Sequence, residues 1–427
     1  MVIRVSKSKL RGKVVIPGSK SHTIRALFIA SLADGQSEII RPLLSSDTLS
    51  AVETCRALGA EISVETDRFI VKGTGGNIKT PEDVVNVGNS GTTLRFGVAC
   101  AALGEGYTVF TGDHQIRKRP LGSLIEALNN LGAHVFSTRN NGSAPVVVKG
   151  PISGGQTDLD SVTSQYLSAL LISLPLAEND SEINIVRLNE VPYVEMTLWW
   201  LDRQNIKYFN NNFKSFRIMG GQKYNPFSIV IPGDFSSATF FAVLAAISGE
   251  EFILENLDMS DPQGDKRVLE ILESMGARVS VQNNSVLIKG DKLKGLEIDM
   301  NSIPDALPAI AVAGCFAEGE TRLVNVPQAR LKETDRIHTM CQELKKMGAD
   351  IEELPDGLII KQSRLKGCHV SGHYDHRVVM ALAIAGLNAE GETIIDTAEA
   401  VNVTFPEFVD LIYQCNGNIY LEGDDEK

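Results

Sequence analysis

Several short stretches of the chain join small or hydroxylated residues to a basic side chain where a helix is about to start. In the first, residues 18–35 (GSKSHTIRALFIASLADG), Ser19 or Ser21 can cap a helix whose first turns carry Lys20 and Arg25. The free amides of a helix N-terminus attract anions, and a lysine beside them adds to that attraction. A nucleotide-phosphate loop would need GxxxxGK[ST], and Ser19 separates Gly18 from Lys20, so that motif is not met. Residues 87–96 (VGNSGTTLRF) have the same form. Gly88 and Gly91 allow a close backbone approach, Asn89, Ser90, Thr92 and Thr93 offer caps or ligand hydrogen bonds, and Arg95 follows on the helix. Each of these could equally be an ordinary capped helix or turn.

The remaining candidates carry acid–base chemistry or more charge. Arg117, Lys118 and Arg119 precede Pro120, as a solvated loop or as a lid that wraps an acidic substrate. Thr163, Ser164 and Gln165 open an apolar helix, where caps are the plain reading. Asp305, after Pro304, stands at another helix start, either as a partner of the helix dipole or as a general base toward a hydroxyl. Arg330, Lys332, Glu333, Asp335 and Arg336 make a charged helix start that could also serve as an acid–base pair with an anion clamp. Cys368, His369, His373, Asp375 and His376 invite a metal site. They run straight into an apolar helix, however, and no second cluster completes a ligand set, so Arg377 holding an anion at the helix start is the better reading. Basic helix starts spread over the whole chain suit two anionic substrates held between lobes that close on them.

Such groups need a scaffold, and the chain supplies it as a repeat. Leu58-Gly59-Ala60, Leu131-Gly132-Ala133, Met275-Gly276-Ala277 and Met347-Gly348-Ala349 each end a helical pattern and precede two alternating strand-like runs. Degenerate copies follow at Asn205-Ile206-Lys207 and Asn416-Gly417-Asn418. The spacing between copies, at positions 59, 132, 205, 276, 348 and 417, is close to constant. Six units of about 70 residues, each with two helices and about four strands, fit two lobes of three. Pro17-Gly18 and Pro232-Gly233 are matched strand–turn–helix junctions half a chain apart. They predict one lobe over 19–232 and another from 1–18 plus 233–427.

Bulk properties narrow the class. A chain of 427 residues is too long for one ordinary core. Its net charge of −12 argues against nucleic-acid binding but leaves room for a focused basic cleft. The six cysteines form no CxxC pair, which suits free thiols in a reducing compartment. Residues 1–18 lack the apolar core of a secretory signal, and the apolar run 309–316 is too short to span a bilayer.

Taken in order, PGSKS (17–21) with Arg25, GNSGTTLR (88–95), Arg119-Pro120, Thr163-Ser164-Gln165, IPDA (303–306), LKETDR (331–336), DHR (375–377) and TFP (404–406) resemble the EPSP synthase family of enolpyruvyl transferases. The resemblance runs over nearly the whole chain. It implies an α/β fold, the two-lobed inside-out α/β barrel of six βαβαββ-type repeats, with the active site in the cleft between lobes. It also implies a cytoplasmic monomer with no cofactor and no metal, whose partners are phosphoenolpyruvate and 3-phosphoshikimate, with no nucleic acid and no membrane. By the resemblance Lys20, Asn89, Gly91, Arg119, Gln165, Arg336 and Arg377 would contact phosphoenolpyruvate. Lys20, Ser21, Arg25, Thr163, Ser164, Gln165, Asp305, Gln328 and Lys332 would contact the acceptor. Asp305 would act as base, and Glu333, helped by Lys20, would transfer the proton at C3.

Three positions depart from the family pattern. Glu190 stands before Val191-Pro192-Tyr193, where a serine often helps to bind the acceptor phosphate. A carboxylate there repels a phosphate unless it turns away or pairs with a base. Gln328 replaces a common asparagine, and Val403 a frequent lysine that helps to hold phosphoenolpyruvate. Gly91 is retained where a larger residue would crowd glyphosate, so inhibition by glyphosate is expected. The sister enzyme acting on UDP-N-acetylglucosamine carries a reactive cysteine before its Arg-Pro, and residues 113–118 contain none. Two rivals to the family's own reaction are a paralogue with a different hydroxylated acceptor and a non-catalytic anion binder. A mere binder would have no need of Asp305, Glu333 and Lys20.

Overall fold

The computed structural model describes residues 1–423. The chain divides into two units, Lys20–Ile231 and Met1–Ser19 joined to the chain from Pro232 onward. Each unit contains three four-stranded sheets.

All six sheets share one plan. In one of them, strand Tyr107–Thr111 runs parallel to Val85–Asn86 and antiparallel to Val146–Lys149, which takes His134–Ser137 on its far side. The parallel pair needs a crossover, and helix Gly91–Ala101 provides it. A second helix, Gly122–Asn130, then leads into the closing hairpin. The four clear repeat glycines lie where each second helix turns into its hairpin. Gly59, Gly132, Gly276 and Gly348 have φ of 110°, 98°, 115° and 91°, values that penalise a side chain. In the two degenerate copies the left-handed residue is asparagine, Asn205 at φ 56° and Asn416 at φ 64°. The turn of the last copy is therefore Asn416, one residue before the position counted from the sequence.

The crossover helices are buried on all sides. From His22 to Leu32 every residue of helix Lys20–Leu32 is buried, and the same holds throughout Gly91–Ala101, and in Phe235–Ser248 from Phe235 to Ala246. A helix apolar all round belongs inside a core. The strands alternate, as in Tyr107–Thr111, so each sheet gives one face to these helices and the other to solvent. Helices within and sheets without make the inside-out α/β arrangement. Each unit has its own apolar core.

At each Pro-Gly junction a strand and the helix that follows it belong to different units. Strand Gly12–Val15 precedes helix Lys20–Leu32 in sequence but pairs with Glu251–Glu255 of the other unit. Strand Ser228–Val230 precedes helix Phe235–Ser248 yet pairs with Gln36–Ile40. The chain is pinned at this exchange by Ser19 N donating to Pro232 O at 2.8 Å and Asp234 N to Pro17 O at 2.9 Å. The sixth sheet corrects the expectation of two successive strands after each second helix. Strand Asn418–Glu422 pairs instead with Val2–Ser6 from the other end of the chain. Among the described residues, no helix is long and apolar enough to cross a membrane.

Candidate functional site

In the unit Lys20–Ile231, candidate groups gather at three buried helix starts. Lys20 Nζ lies 3.2 Å from Asp47 Oδ2, both side chains largely enclosed. One turn on, Arg25 is 2% exposed. Its guanidinium donates to Thr197 Oγ1 at 2.9 Å, Ser21 O at 3.1 Å and Tyr193 O at 2.9 Å, and lies 5.5 Å from the Phe96 ring centre. These partners are neutral, and burial lowers its pKa to about 10.

At the second start Ser90 caps helix Gly91–Ala101, accepting from Thr93 N. Arg95 and Arg119 close over Gly91. A Cβ on Gly91 would lie 2.5 Å from Arg119 Nη1 and 2.6 Å from Arg95 Nη1, so a larger residue would push the ends of these two side chains aside. Arg95 donates to Gln165 Oε1 at 2.7 Å, and its buried Nε has no hydrogen-bond partner among the described residues. Burial, with a smaller contribution from the nearby Arg119 charge, depresses the Arg95 pKa. Arg119 donates to Asn89 Oδ1 at 3.2 Å, and Asn89 in turn bonds Asp113 and Gln115. The run Arg117-Lys118-Arg119 is thus not a uniformly solvated loop. Arg117 and Lys118 face solvent from a short 3-10 turn, Ile116–Lys118, while Arg119 turns inward.

The third start, at helix Ser164–Ser173, holds a surprise. Glu190 is 1% exposed, and its Oε2 accepts from Thr163 Oγ1 at 3.1 Å, Ser164 N at 3.1 Å and Ser164 Oγ at 2.8 Å. It does not turn away from the residues expected to hold the acceptor. It binds them.

The other unit, from Pro232 onward, arranges its charges differently. Three of its helices are capped by aspartates: Asp234 accepts from Ser236 N, Asp335 from His338 N and Asp375 from Arg377 N. Arg336, 1% exposed, forms the centre of an ion cluster. Its Nε and Nη2 grip Asp375 at 2.8 and 3.2 Å, Nη1 reaches Asp305 Oδ1 at 2.8 Å, and Nη2 reaches Glu333 Oε2 at 2.5 Å. Burial works against its charge, but Asp375, Glu333 and Asp305 outweigh it and raise its pKa. Asp305 is held from the other side by Arg377 Nη2 at 3.0 Å, with Lys332 Nζ at 3.7 Å. Two carboxylates, Asp305 and Glu333, therefore sit on one fixed cation, with two further cations beside Asp305. Gln328 stands apart: its amide donates to Asn301 O at 3.0 Å, and its buried Oε1 has no partner among the described residues. Val403 ends a 3-10 turn, Ala398–Val403.

Among the residues of these networks that were not assigned from the sequence are Asp47, Arg95 and Asp375. Asp47 opens a helix after Ser45-Ser46, Arg95 belongs to the GNSGTTLR motif, and Asp375 is the acid of DHR. The motif signal was present for the last two, but a cap and a partner for arginine look alike in sequence. Of the polar cluster at 368–376, His373 Nε2 pairs with Glu343 at 2.8 Å and Asp375 serves Arg336. Among the described residues no group of three or more His, Cys, Asp or Glu is placed to hold a metal ion.

Comparison with known proteins gives the same picture over the whole length. The family model for EPSP synthase (3-phosphoshikimate 1-carboxyvinyltransferase) matches residues 5–412. The 3-phosphoshikimate 1-carboxyvinyltransferase of Acetivibrio thermocellus is 70% identical over 98% of this chain and 99% of its own. That of Ruminiclostridium cellulolyticum is 62% identical over 99% of this chain and 100% of its own. The solved EPSP synthase of Acinetobacter baumannii superposes with a TM-score of 0.83 at 29% identity, over 98% of this chain and 99% of that one. From these matches, and from a repeat architecture that carries every quoted motif to a helix start, the chain belongs to the EPSP synthase family.

Proposed function

We propose that the chain transfers the enolpyruvyl (carboxyvinyl) group of phosphoenolpyruvate to the 5-hydroxyl of 3-phosphoshikimate, releasing phosphate and 5-enolpyruvylshikimate 3-phosphate. This is the reaction of the shikimate pathway that leads toward chorismate and the aromatic amino acids. Relatives 70% and 62% identical are named for it. The structural observation that carries the reading is the pair of carboxylates, Asp305 and Glu333, on the one buried Arg336. Acid and base chemistry on one substrate pair needs two such groups at fixed separation.

In this reading the 5-hydroxyl attacks C2 of phosphoenolpyruvate and yields its proton to Asp305, while C3 takes a proton from Glu333 with Lys20 assisting. The tetrahedral intermediate then loses phosphate, and C3 returns a proton. Lys20, Asn89, Gly91, Arg119, Gln165, Arg336 and Arg377 would hold phosphoenolpyruvate. Lys20, Ser21, Arg25, Thr163, Ser164, Gln165, Asp305, Gln328 and Lys332 would hold the acceptor. Support comes from the buried cations Arg25 and Arg95, whose hydrogen bonds go to neutral groups and which favour anionic ligands. We also take the chain to be a cytoplasmic monomer; its six cysteines are unpaired, in keeping with a reducing compartment.

Glu190 favours one rival reading, a paralogous transferase whose hydroxylated acceptor lacks a phosphate. Phosphate release from phosphoenolpyruvate, measured with 3-phosphoshikimate, shikimate and UDP-N-acetylglucosamine in turn, separates the two. Turnover with 3-phosphoshikimate alone is expected; activity with shikimate but not with its phosphate would favour the rival, and silence with all three would overturn the proposed reaction and move the weight to another acceptor or a lost activity.

A further inference from the structure

The helix starts at Ser90 and at Thr163 look alike in sequence but differ in the direction of their hydroxyl groups. Ser90 is an ordinary cap, its hydroxyl accepting from the helix amide of Thr93. Thr163 makes no such bond to its own helix. Its hydroxyl, the Ser164 hydroxyl and the Ser164 amide all donate outward, to a single oxygen of Glu190. Three converging donors at the start of a ten-residue helix form an anion site, and the anion in it belongs to the chain itself. Glu190 reaches that place from a left-handed backbone, φ 60° and ψ 42°, a conformation that costs a residue with a side chain. Proline at the second position of the following helix and complete burial hold it there. The positive charge of Arg95 lies close enough to be influenced by the Glu190 carboxylate.

We propose that Glu190 is a resident anion which occupies, in the free protein, the place taken by the acceptor's phosphate, and so sets the preference between phosphorylated and unphosphorylated acceptors. The proposal rests on the reading of Thr163 and Ser164 as acceptor contacts. A carboxylate and a phosphate cannot share the same three donors, because like charges at contact distance repel strongly away from bulk water. The phosphate must displace Glu190 from these three donors, a cost that falls on the phosphorylated acceptor alone. An acceptor with no phosphate leaves Glu190 where it is.

The test is calorimetric titration of the full chain, wild type, Glu190→Gln and Glu190→Ser, with 3-phosphoshikimate and with shikimate. Glutamine keeps the shape and removes the charge; serine vacates the place. Affinity for 3-phosphoshikimate should rise about tenfold in Glu190→Gln and at least as much in Glu190→Ser, with shikimate changing less than about twofold. An unchanged or weaker preference for the phosphorylated acceptor, in variants whose thermal unfolding matches wild type, would overturn the proposal. Loss of the native fold in both variants would assign Glu190 to the scaffold and overturn it equally. Failure of this idea is distinct from failure of the reading beneath it. If wild type turns over 3-phosphoshikimate while neither variant moves the affinity ratio, only the role of Glu190 falls; if wild type is silent with 3-phosphoshikimate, the acceptor itself is wrong.

Discussion

Arg336 shows how one buried side chain can decide both stability and chemistry. It satisfies Asp375 with two nitrogens while holding Asp305 and Glu333, the proposed base and acid. Removing one member of a buried ion cluster leaves the others uncompensated, typically at about 3–5 kcal/mol. Arg336→Met should lower unfolding stability by roughly that amount, read as a fall in the urea midpoint, and abolish turnover. Asp305→Asn keeps the shape and should leave a folded protein whose phosphate release falls by about 10²–10⁴-fold. Near-wild-type turnover in that variant would remove Asp305 as the base. Gly91 makes the opposite kind of contribution, by what it lacks. A methyl group there would meet Arg119 at 2.5 Å and Arg95 at 2.6 Å. Millimolar glyphosate should inhibit the wild type, and Gly91→Ala should weaken both that inhibition and phosphoenolpyruvate binding, seen as a KM raised about tenfold with a smaller change in kcat.

Among the elements, the helix starts divide the labour. Around Lys20–Ile231 they are dressed with hydroxyl groups and amides, and anionic ligands suit them. In the unit from Pro232 onward, aspartates already cap three of them, and Arg336 and Arg377 project from helix Arg336–Lys346 and helix His376–Gly386 onto Asp305 in the turn before Leu307–Phe316. Those elements must keep their register, and Glu343 ties helix Arg336–Lys346 to residues 371–373, just before helix His376–Gly386. Its carboxylate accepts from His373, Lys346 and the amide of Ser371. Burial pushes its pKa up, but these bonds prevail and hold it at about 2 against an ordinary 4.5. A depressed carboxylate stabilises the fold above its unfolded pKa and loses that effect as pH falls through the folded value. Acid unfolding should therefore carry a contribution between about pH 4.5 and 2 that Glu343→Gln lacks, read from unfolding midpoints across that range.

For the whole molecule, six copies of one plan, three in each unit, repeat the strand–helix junctions at which most of the proposed groups stand. The proposed reaction needs groups from both units on one pair of substrates, which predicts that acceptor binding draws them together. Small-angle scattering should show a smaller radius of gyration on adding 3-phosphoshikimate, and no compaction would count against closure as part of the mechanism.

The sequence alone determined the repeat, the helix starts and the types of chemistry at them, because these are set by residues a few positions apart. Glycine or asparagine must stand where the chain turns left-handed, apolar residues must recur where a helix is enclosed, and Ser, Thr or Asp must stand where amides lie bare. Only the tertiary structure decided the rest. Strand Val2–Ser6 closes the sixth sheet between Glu392–Asp396 and Asn418–Glu422. Asp375 proved to be both a cap and a partner of Arg336, and Glu190 faced Thr163 and Ser164 instead of solvent. Each of these joins groups tens to hundreds of residues apart, and no local propensity encodes such a meeting; it is settled by which partner best satisfies a buried strand edge or charge once the chain has collapsed.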